Sequence, residues 1–375
     1  MRPPRVAPQL IARSTTPLHT FVDSCMWRRT VERRNLLYKF WRRIADPVRE
    51  VRASLLPDAK QPFGPKFGLT VYEDFVNPQD AMNIRQQYVD LYLRETAKSD
   101  DDSDVRVSDG RLHLPPLHPS AFASVLHRLE RFHIVPPNYL NNQTVNVFQA
   151  GDFIRAHVDN MFIYDDIFAV ISLGCPALLK LTHVQNGEEL ECLVPDCSVY
   201  IMEGPSRYIY FHSVLPLEAQ RLSIVLRRSF LRSTGTFGPV PSQSADMLPH
   251  RGNAIMTALA QRQIGCTRIA LSDEWLEENN ISMFDAGEMV KRLKPLRDWS
   301  LQSQLAEDRL RYEELRNQGY LKENLDWRFD ELKAKFRQVE EDITINKECL
   351  VEHPPPGKDT EARATATPAA TATKS

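Results

Sequence analysis

The stretch ALLKLTHVQNGEELECLVPDCSVYIME, residues 177–203, predicts three short β-strands, because its aliphatic and aromatic runs are separated by turn-forming Asn-Gly and Pro-Asp pairs. Five further segments of the same kind surround it: TVNVFQ (144–149), IRAHV (154–158), IFAVISL (167–173), RYIYFH (207–212) and RLSIVLRR (221–228). Strands of this length without intervening helices are typical of an all-β sandwich or jelly roll.

Helical patterns flank this β-rich segment on both sides. Asn77 and Pro78 predict the start of a helix that runs through Leu93, since Asn is a favoured cap and Pro is favoured in the first turn. A second helix is predicted within residues 117–134, and both should cover one face of the sheets. The expected fold class is α+β, with a double-stranded β-helix (jelly roll) core, supporting N-terminal helices and a C-terminal helical extension.

The C-terminal part of the chain carries apolar residues at helical spacing. A heptad-like seam runs through Leu325, Phe329, Leu332, Phe336, Val339 and Ile343. A weaker copy, which Asp308 interrupts, consists of Leu301, Leu305, Tyr312 and Leu315. The Asn-Gln-Gly turn at 317–319 favours a helical hairpin, although so short a seam could also take a partner helix.

Changes in composition divide the chain into six regions. We expect a mitochondrial transit peptide at 1–22, a basic amphipathic helix and linker at 23–66, the β-rich domain at 67–230, a linker at 231–252, the helical extension at 253–350 and a disordered tail at 351–375. Residues 1–22 contain three arginines and no acidic residue, which is typical of transit peptides to the mitochondrial matrix and also of a disordered basic tail. The basic helix could pack on the main domain or contact RNA or a membrane surface.

Overall composition is that of an ordinary globular protein, with 42% hydrophobic and 26% charged residues. A net charge of -2 gives no global reason to expect nucleic-acid binding, although a local patch could provide it. No apolar run approaches the roughly 18 residues of a membrane span. The six cysteines are scattered and only Cys192 and Cys197 are close, which favours free thiols over a zinc site.

The pair His157-Val-Asp159 is the first indication of a metal site. A His-x-Asp pair is weak by itself, but this one ends a predicted strand and follows the Gly151-Asp152 turn. His212 ends a later predicted strand, and a jelly roll can bring distant strand ends to one opening. Two imidazoles and one carboxylate form the ligand set that binds non-haem iron(II) on one face and leaves the other positions open.

Arg221 and Arg227 are six residues apart on a predicted strand and therefore share one face with Ser223 and Val225. An arginine that faces the interior of a sheet is costly unless an anion neutralises it. Guanidinium groups suit carboxylates through paired hydrogen bonds, and a dicarboxylate such as 2-oxoglutarate offers two of them. A solvated edge strand is the simpler alternative, and the nearby ligand set favours the dicarboxylate.

The order of these motifs resembles the AlkB-like iron(II)- and 2-oxoglutarate-dependent dioxygenases. The residues that carry the resemblance are Asn146-x-Phe148-x-x-Gly151, His157-x-Asp159, Arg207-Tyr208-x-x-x-His212, Arg221 and Arg227. The segments HVDN, IFAVISLGCPALLKLTH and PDCSVYIMEGPSRYIYFH look most like the mitochondrial branch of that family. The resemblance covers about residues 67–230 and implies a dioxygenase domain there.

The resemblance implies a role for each site residue. His157, Asp159 and His212 would ligate iron(II), Arg221 would pair with the distal carboxylate of 2-oxoglutarate, and Arg227 would lie near its metal-chelating end.

Tyr200 matches a cosubstrate-binding tyrosine of the mitochondrial branch, and Asn146 matches the Asn of an Asn-x-Tyr motif in which Phe148 replaces the tyrosine. Tyr200 could equally be a core aromatic residue, and Asn146 could satisfy main-chain groups. We expect Arg207 and Tyr208 to brace the strand of His212, and His113 and His183 to be ordinary core histidines.

The resemblance also implies an enzyme that uses iron(II), 2-oxoglutarate and dioxygen to hydroxylate or demethylate a macromolecular substrate, RNA or protein. Nucleic-acid demethylases of this family hold a flipped base under an aromatic and basic lid. Here residues 99–119 are acidic and contain no aromatic residue, which argues against duplex repair. The alternative is a non-catalytic or weakly active scaffold that binds mitochondrial RNA or protein through the basic helix or the helical hairpin.

Overall fold

A computed structural model describes residues 59–64, 66–97, 106–108, 111–149, 151–217, 220–240, 259, 264–265, 273–282, 285–292, 299–321 and 324–352. The predicted transit peptide, the basic helix and the linker at 241–252 lie outside the described residues. So does the predicted tail beyond residue 352.

The strands are Ala59–Lys60 (β1), Leu69–Tyr72 (β2), Arg106–Ser108 (β3), Arg111–Leu114 (β4), Asn142–Phe148 (β5), Ile154–His157 (β6), Tyr164–Leu173 (β7), Ala177–His183 (β8), Glu189–Val194 (β9), Ser198–Met202 (β10), Tyr210–Pro216 (β11) and Arg221–Ser229 (β12). The helices are Pro78–Thr96 (α1), Ala123–Arg131 (α2), Gly204–Tyr208 (α3), Asp273–Glu278 (α4), Ala286–Arg292 (α5), Leu301–Asn317 (α6) and Asp326–Glu352 (α7).

Two antiparallel sheets form the β-core. The larger has the strand order β1-β2-β10-β7-β12-β5-β4-β3, and the smaller has the order β6-β11-β8-β9. One apolar cluster contains residues from both sheets, including Phe168 and Val170 of β7 and Leu179 and Leu181 of β8. The core therefore lies between the sheets, and the predicted double-stranded β-helix is confirmed.

The outer face of the larger sheet is covered by α1 and α2. Ile84 of α1 and Val125 of α2 are fully buried in a second cluster together with Val145 and Ile224. The Asn77 side chain accepts a hydrogen bond from the Asp80 main-chain nitrogen at 2.9 Å, so α1 begins at the predicted cap. Helices before the strands cover one face of the core, as predicted.

Two expectations about local structure are wrong. Arg207 and Tyr208 belong to the short helix α3, and β11 begins only at Tyr210, because Gly204 adopts a positive φ of 53° and Pro205 favours a first helical turn. The segment DDSDVRVSDG at 101–110, whose composition predicts an exposed acidic loop, contains β3, which forms a hairpin with β4. The second strand of this hairpin, β4, pairs with the edge of β5 and so gains main-chain hydrogen bonds that local sequence does not reveal.

The two long C-terminal helices pack on each other and on the core. Tyr312 of α6 lies 5.2 Å from Phe329 of α7, measured between ring centroids. Phe336 of α7 lies 5.3 Å from Tyr208 of α3. The apolar seam of α7 is therefore shared between its partner helix and the jelly roll, and the predicted C-terminal helical extension is confirmed.

Asp308 of α6 is buried, accepts a hydrogen bond from the Gly265 main chain and carries the first prediction. The Gln304 amide donates a hydrogen bond to Oδ1 of Asp308 at 2.9 Å, and Arg311 Nη1 lies 3.9 Å from the same atom. Burial raises the pKa of Asp308 from 3.8 to about 6. The folded state therefore holds this proton more tightly than the unfolded state, and the contribution of Asp308 to stability falls as pH rises from about 4 to about 6.

Asp308→Asn should consequently increase the free energy of unfolding near pH 7 by about 1–3 kcal/mol. The gain should shrink toward zero as the pH is lowered to about 4, where Asp308 is protonated in both states. Denaturant unfolding of both proteins across this pH range measures the difference. A gain that does not change with pH would contradict the assigned titration.

The described residues agree with two further expectations. Cys175, Cys192 and Cys197 carry free thiols. Among the helices that the structure describes, none is both long and apolar enough to span a lipid bilayer.

Candidate active site

The smaller sheet places His157 and His212 side by side. They are direct cross-strand partners on the antiparallel strands β6 and β11, and their ring centroids are 4.3 Å apart. Asp159 follows β6 by two residues, and its Oδ1 lies 3.3 Å from His157 Nε2. Each of the three side chains offers one ligand atom, and these atoms lie within 4.8 Å of one another. One ion could be held by all three.

Hydrogen bonding, burial and neighbouring charges favour the binding of a cation by these three side chains. His157 Nδ1 lies 2.7 Å from the Arg155 carbonyl oxygen and can only donate to it, so Nε2 is the ring nitrogen that faces Asp159. Burial and the neighbouring His157 hold the pKa of His212 well below its usual range, so this imidazole is neutral. Burial opposes ionisation of Asp159, yet Arg227 and His157 hold its pKa well below its usual range. The three groups thus present two imidazoles, of which that of His212 is neutral, and one carboxylate.

Arg221 lies on β12 and is 1% exposed. Its Nε donates to Ser172 Oγ at 3.1 Å. Its Nη1 and Nη2 are buried, and neither makes a hydrogen bond of good geometry within the described chain. Burial lowers the pKa of Arg221, and electrostatic attraction to the nearby Tyr200 hydroxyl only partly offsets this effect. Beyond a contact with the Tyr200 hydroxyl that is too poorly aligned for a good hydrogen bond, no described residue satisfies these two donors.

Arg227, on the same face of β12, is linked to the candidate ligands. Its Nε lies 2.9 Å from Asp159 Oδ2, and its Nη1 donates to Thr144 Oγ1 at 2.9 Å. The guanidinium also lies over the Tyr164 ring, 4.7 Å from the centroid. These contacts hold Arg227 between β5, β7 and the Asp159 carboxylate.

One cavity of about 300 Å³ brings together all seven predicted site residues: Asn146, His157, Asp159, Tyr200, His212, Arg221 and Arg227. Ser223 and Val225 also line it, as the alternation along β12 predicted. Asn146 is 3% exposed and its Oδ1 has no hydrogen-bond donor in the described residues. Phe148 is fully buried beneath Arg221, 5.3 Å from the guanidinium to the ring centroid, and so lies behind the cavity wall.

Several other residues at this site were not predicted. His113, expected in the core, lines the cavity from β4 opposite Asn146, while His183 is indeed buried and accepts from Gln185 N at 3.3 Å. Thr144 and Tyr164 also line the cavity. Thr144 shares the face of Asn146 on β5, a signal that the period of two in the sequence offered.

Arg207, which we expect to brace the strand of His212, makes its hydrogen bonds to the loop that follows His157. It is fully buried and donates to the carbonyl oxygens of Asp159 at 2.9 Å and Asn160 at 3.3 Å. Arg207 thus binds the loop that carries a candidate ligand.

Comparison with known families explains this arrangement. Residues 68–272, more than half of the chain, match the model of the 2OG-Fe(II) oxygenase superfamily. The chain belongs to that superfamily. The predicted enzyme class and the predicted use of iron(II) and 2-oxoglutarate are confirmed by this membership, and so is the AlkB-like resemblance.

Individual relatives of this oxygenase match only in part. It is 38% identical over 97 residues to the bovine (Bos taurus) "Alpha-ketoglutarate-dependent dioxygenase alkB homolog 7, mitochondrial", covering 25% of this chain and 44% of the relative. It is 30% identical over 105 residues to the mouse (Mus musculus) "tRNA (carboxymethyluridine(34)-5-O)-methyltransferase ALKBH8", covering 28% of this chain and 15% of the relative. The matches thus span less than half the length of either relative. The solved structure of OsALKBH1 is 14% identical with a TM-score of 0.33, covering 43% of this chain and 97% of that one.

The site of this oxygenase fits both groups that the superfamily uses. Two imidazoles and a carboxylate suit iron(II). Nη1 and Nη2 of Arg221 and Oδ1 of Asn146 are buried polar atoms that no described residue fully satisfies and that a ligand of the cavity can satisfy. A dicarboxylic acid supplies the anion that Arg221 lacks.

Proposed function

We propose that His157, Asp159 and His212 ligate iron(II) in this oxygenase, and that Arg221 and Arg227 bind its 2-oxoglutarate. Arg221, with the Tyr200 hydroxyl, takes the distal carboxylate, and Arg227 faces the end that chelates the metal. The observation that carries this proposal is the buried Arg221 guanidinium, whose two Nη donors no described residue fully satisfies, in the same cavity as the three-ligand cluster.

The residues of the proposed site have distinct roles in binding the metal and the cosubstrate. Bound iron(II) would supply the activation of dioxygen, with one oxygen atom converting 2-oxoglutarate to succinate and carbon dioxide and the other inserted into a substrate C–H bond. The Arg155 carbonyl fixes the His157 tautomer, so that Nε2 keeps its lone pair for the metal. Arg227 holds the Asp159 carboxylate by a 2.9 Å contact and balances its charge in the buried site. Asn146 lines the same cavity, and its buried side-chain amide would offer a further hydrogen bond to the bound 2-oxoglutarate.

We propose a macromolecular substrate, protein or RNA, that is hydroxylated or loses an N-methyl group. The acidic, aromatic-free stretch at 99–119 disfavours a flipped base from duplex DNA, because acidic loops repel phosphate. A protein side chain or a single-stranded RNA segment can reach the cavity without a base-gripping lid. His113 lines the cavity from the β3–β4 hairpin and can contact such a substrate.

We also propose the mitochondrial matrix as the location and residues 67–230 as the dioxygenase domain, with residues 253–350 as its helical extension. The basic, acid-free composition of residues 1–22 and the partial similarity to a relative named as mitochondrial support this location. Uptake by isolated mitochondria, lost on deletion of residues 1–22, is the corresponding test. Uptake that is unchanged by the deletion would refute it.

Uncoupled turnover tests the enzymatic proposal without knowledge of the substrate. The purified full chain, supplied with iron(II), ascorbate and 2-oxoglutarate in air, should release succinate above the rate of a metal-free control. Succinate is measured by mass spectrometry. Absence of both succinate release and 2-oxoglutarate binding, with retained affinity for mitochondrial RNA or protein, would favour the scaffold alternative.

A further inference from the structure

The loop at residues 159–164, here termed the ligand loop, connects Asp159 to β7. All six of its main-chain carbonyl oxygens accept hydrogen bonds. The donors are Arg207 for Asp159 (2.9 Å) and Asn160 (3.3 Å), Arg328 for Met161 (3.0 Å), Phe162 (3.1 Å) and Tyr164 (3.1 Å), and Phe230 N for Ile163 (3.0 Å). Arg207 belongs to the jelly roll, whereas Arg328 belongs to α7 of the C-terminal extension.

Arg328 is built into this contact. It is 3% exposed, and its guanidinium lies 3.9 Å from the centroid of the Phe230 ring. Nε and Nη2 are both used on carbonyl oxygens of the ligand loop, while Nη1 lies 3.2 Å from Glu331. A buried guanidinium is costly unless its donors are satisfied. Because the loop carbonyl oxygens are the acceptors of Arg328, a displacement of the loop would leave these donors unsatisfied, and loss of Arg328 would leave the loop carbonyls without their donor.

The rest of the extension supports the same loop. The Phe162 ring lies 4.9 Å from Phe329 of α7 and 6.1 Å from Tyr312 of α6. Gly265, which precedes the helical hairpin, accepts from Met161 N at 2.6 Å. A Cβ at Gly265 would lie 2.6 Å from Phe162 N, so the two main chains approach as closely as glycine allows.

We propose that Arg328 is a positioning residue for the metal site: the C-terminal extension fixes the ligand loop and thereby the Asp159 carboxylate. The inference rests on the proposed role of Asp159 as an iron ligand. A ligand must be held within roughly 0.5 Å of its productive position, and supporting contacts commonly contribute 10–100-fold to metal affinity. The extension is then a part of the active site that a jelly roll alone would lack.

Metal binding by the full chain tests this inference. Co(II) serves as the probe, and its visible absorption reports both affinity and coordination. Arg328→Met should weaken Co(II) binding at least about tenfold and alter the absorption bands, and Arg328→Lys should recover only part of the affinity. Arg316→Met, at a 44% exposed arginine of the same hairpin, is the matched control and should bind Co(II) as the parent does.

Hydrogen–deuterium exchange of the unmodified chain gives a second measurement if Arg328→Met does not fold. Coupling between sites is reciprocal, so Co(II) should slow amide exchange in residues 325–332 as well as in the ligand loop. Parent-like Co(II) affinity in both folded Arg328 variants would overturn the inference. So would protection confined to the ligand loop. Failure of the parent chain to bind Co(II) would refute the proposed metal site itself.

Discussion

His157→Ala is expected to abolish succinate release and to weaken metal binding by at least about 100-fold. The variant leaves one imidazole and one carboxylate, which can no longer define one face of an octahedral ion. Asp159 also loses the His157 Nε2 contact at 3.3 Å, and its carboxylate is then held mainly by Arg227. Affinity for Co(II) and succinate release should therefore both fall.

The fold should tolerate this change. His157 is partly exposed and lies beside a second imidazole, so its removal deletes little apolar packing. His127→Ala, at an exposed histidine of α2, is the matched control and should leave turnover unchanged. Wild-type succinate release by a folded His157→Ala protein would exclude the proposed ligand set.

Arg221→Met should stabilise the ligand-free protein and at the same time weaken the binding of 2-oxoglutarate. The substitution removes a buried charge whose Nη1 and Nη2 have no acceptor among the described residues beyond the nearby Tyr200 hydroxyl, and it fills the space with an apolar chain of similar length. We expect the ligand-free protein to gain about 1 kcal/mol or more in free energy of unfolding. The KM for 2-oxoglutarate should rise at least about 100-fold, because two charge-assisted hydrogen bonds are lost.

Opposite signs in these two measurements make the prediction specific. If Arg221 had only a structural role, its substitution would lower the free energy of unfolding. It would not selectively raise the KM for 2-oxoglutarate. Arg228→Met, next in sequence on the opposite face of β12, is the control: it should lose stability modestly with its 3.3 Å contact to Asp165, while the KM stays unchanged. An unchanged KM in Arg221→Met would remove Arg221 from the cosubstrate site.

Local sequence predicted the β-core well because short-range patterns determine it. Alternation along β12 placed Arg221 and Arg227 on the cavity face, and Leu222 and Leu226 in the cluster under α1 and α2. Turn-forming residues correctly predicted the breaks between strands, and Asn77, a favoured cap residue, correctly predicted the start of α1. The resemblance added Tyr200 and Asn146, which also line the cavity.

Long-range contacts account for what the sequence did not reveal. Arg328 lies in an amphipathic helix where an arginine ordinarily faces solvent, and its acceptors lie more than 160 residues earlier in the chain. Arg207 was assigned to a strand because RYIYFH has β-type composition, yet the preceding Gly-Pro pair begins α3. His113 reaches the cavity only because β4 pairs with β5. No pattern local to these residues encodes such partners.

Anaerobic titration of the full chain with iron(II) and 2-oxoglutarate tests the proposed iron(II) site. A 2-oxo acid chelated to iron(II) gives a visible charge-transfer absorption, and we expect one such complex per chain. The absorption should be absent in His157→Ala and should require far more 2-oxoglutarate in Arg221→Met. A parent chain that gives no absorption at saturating iron(II) and 2-oxoglutarate, or a His157→Ala protein that gives the same absorption, would contradict it.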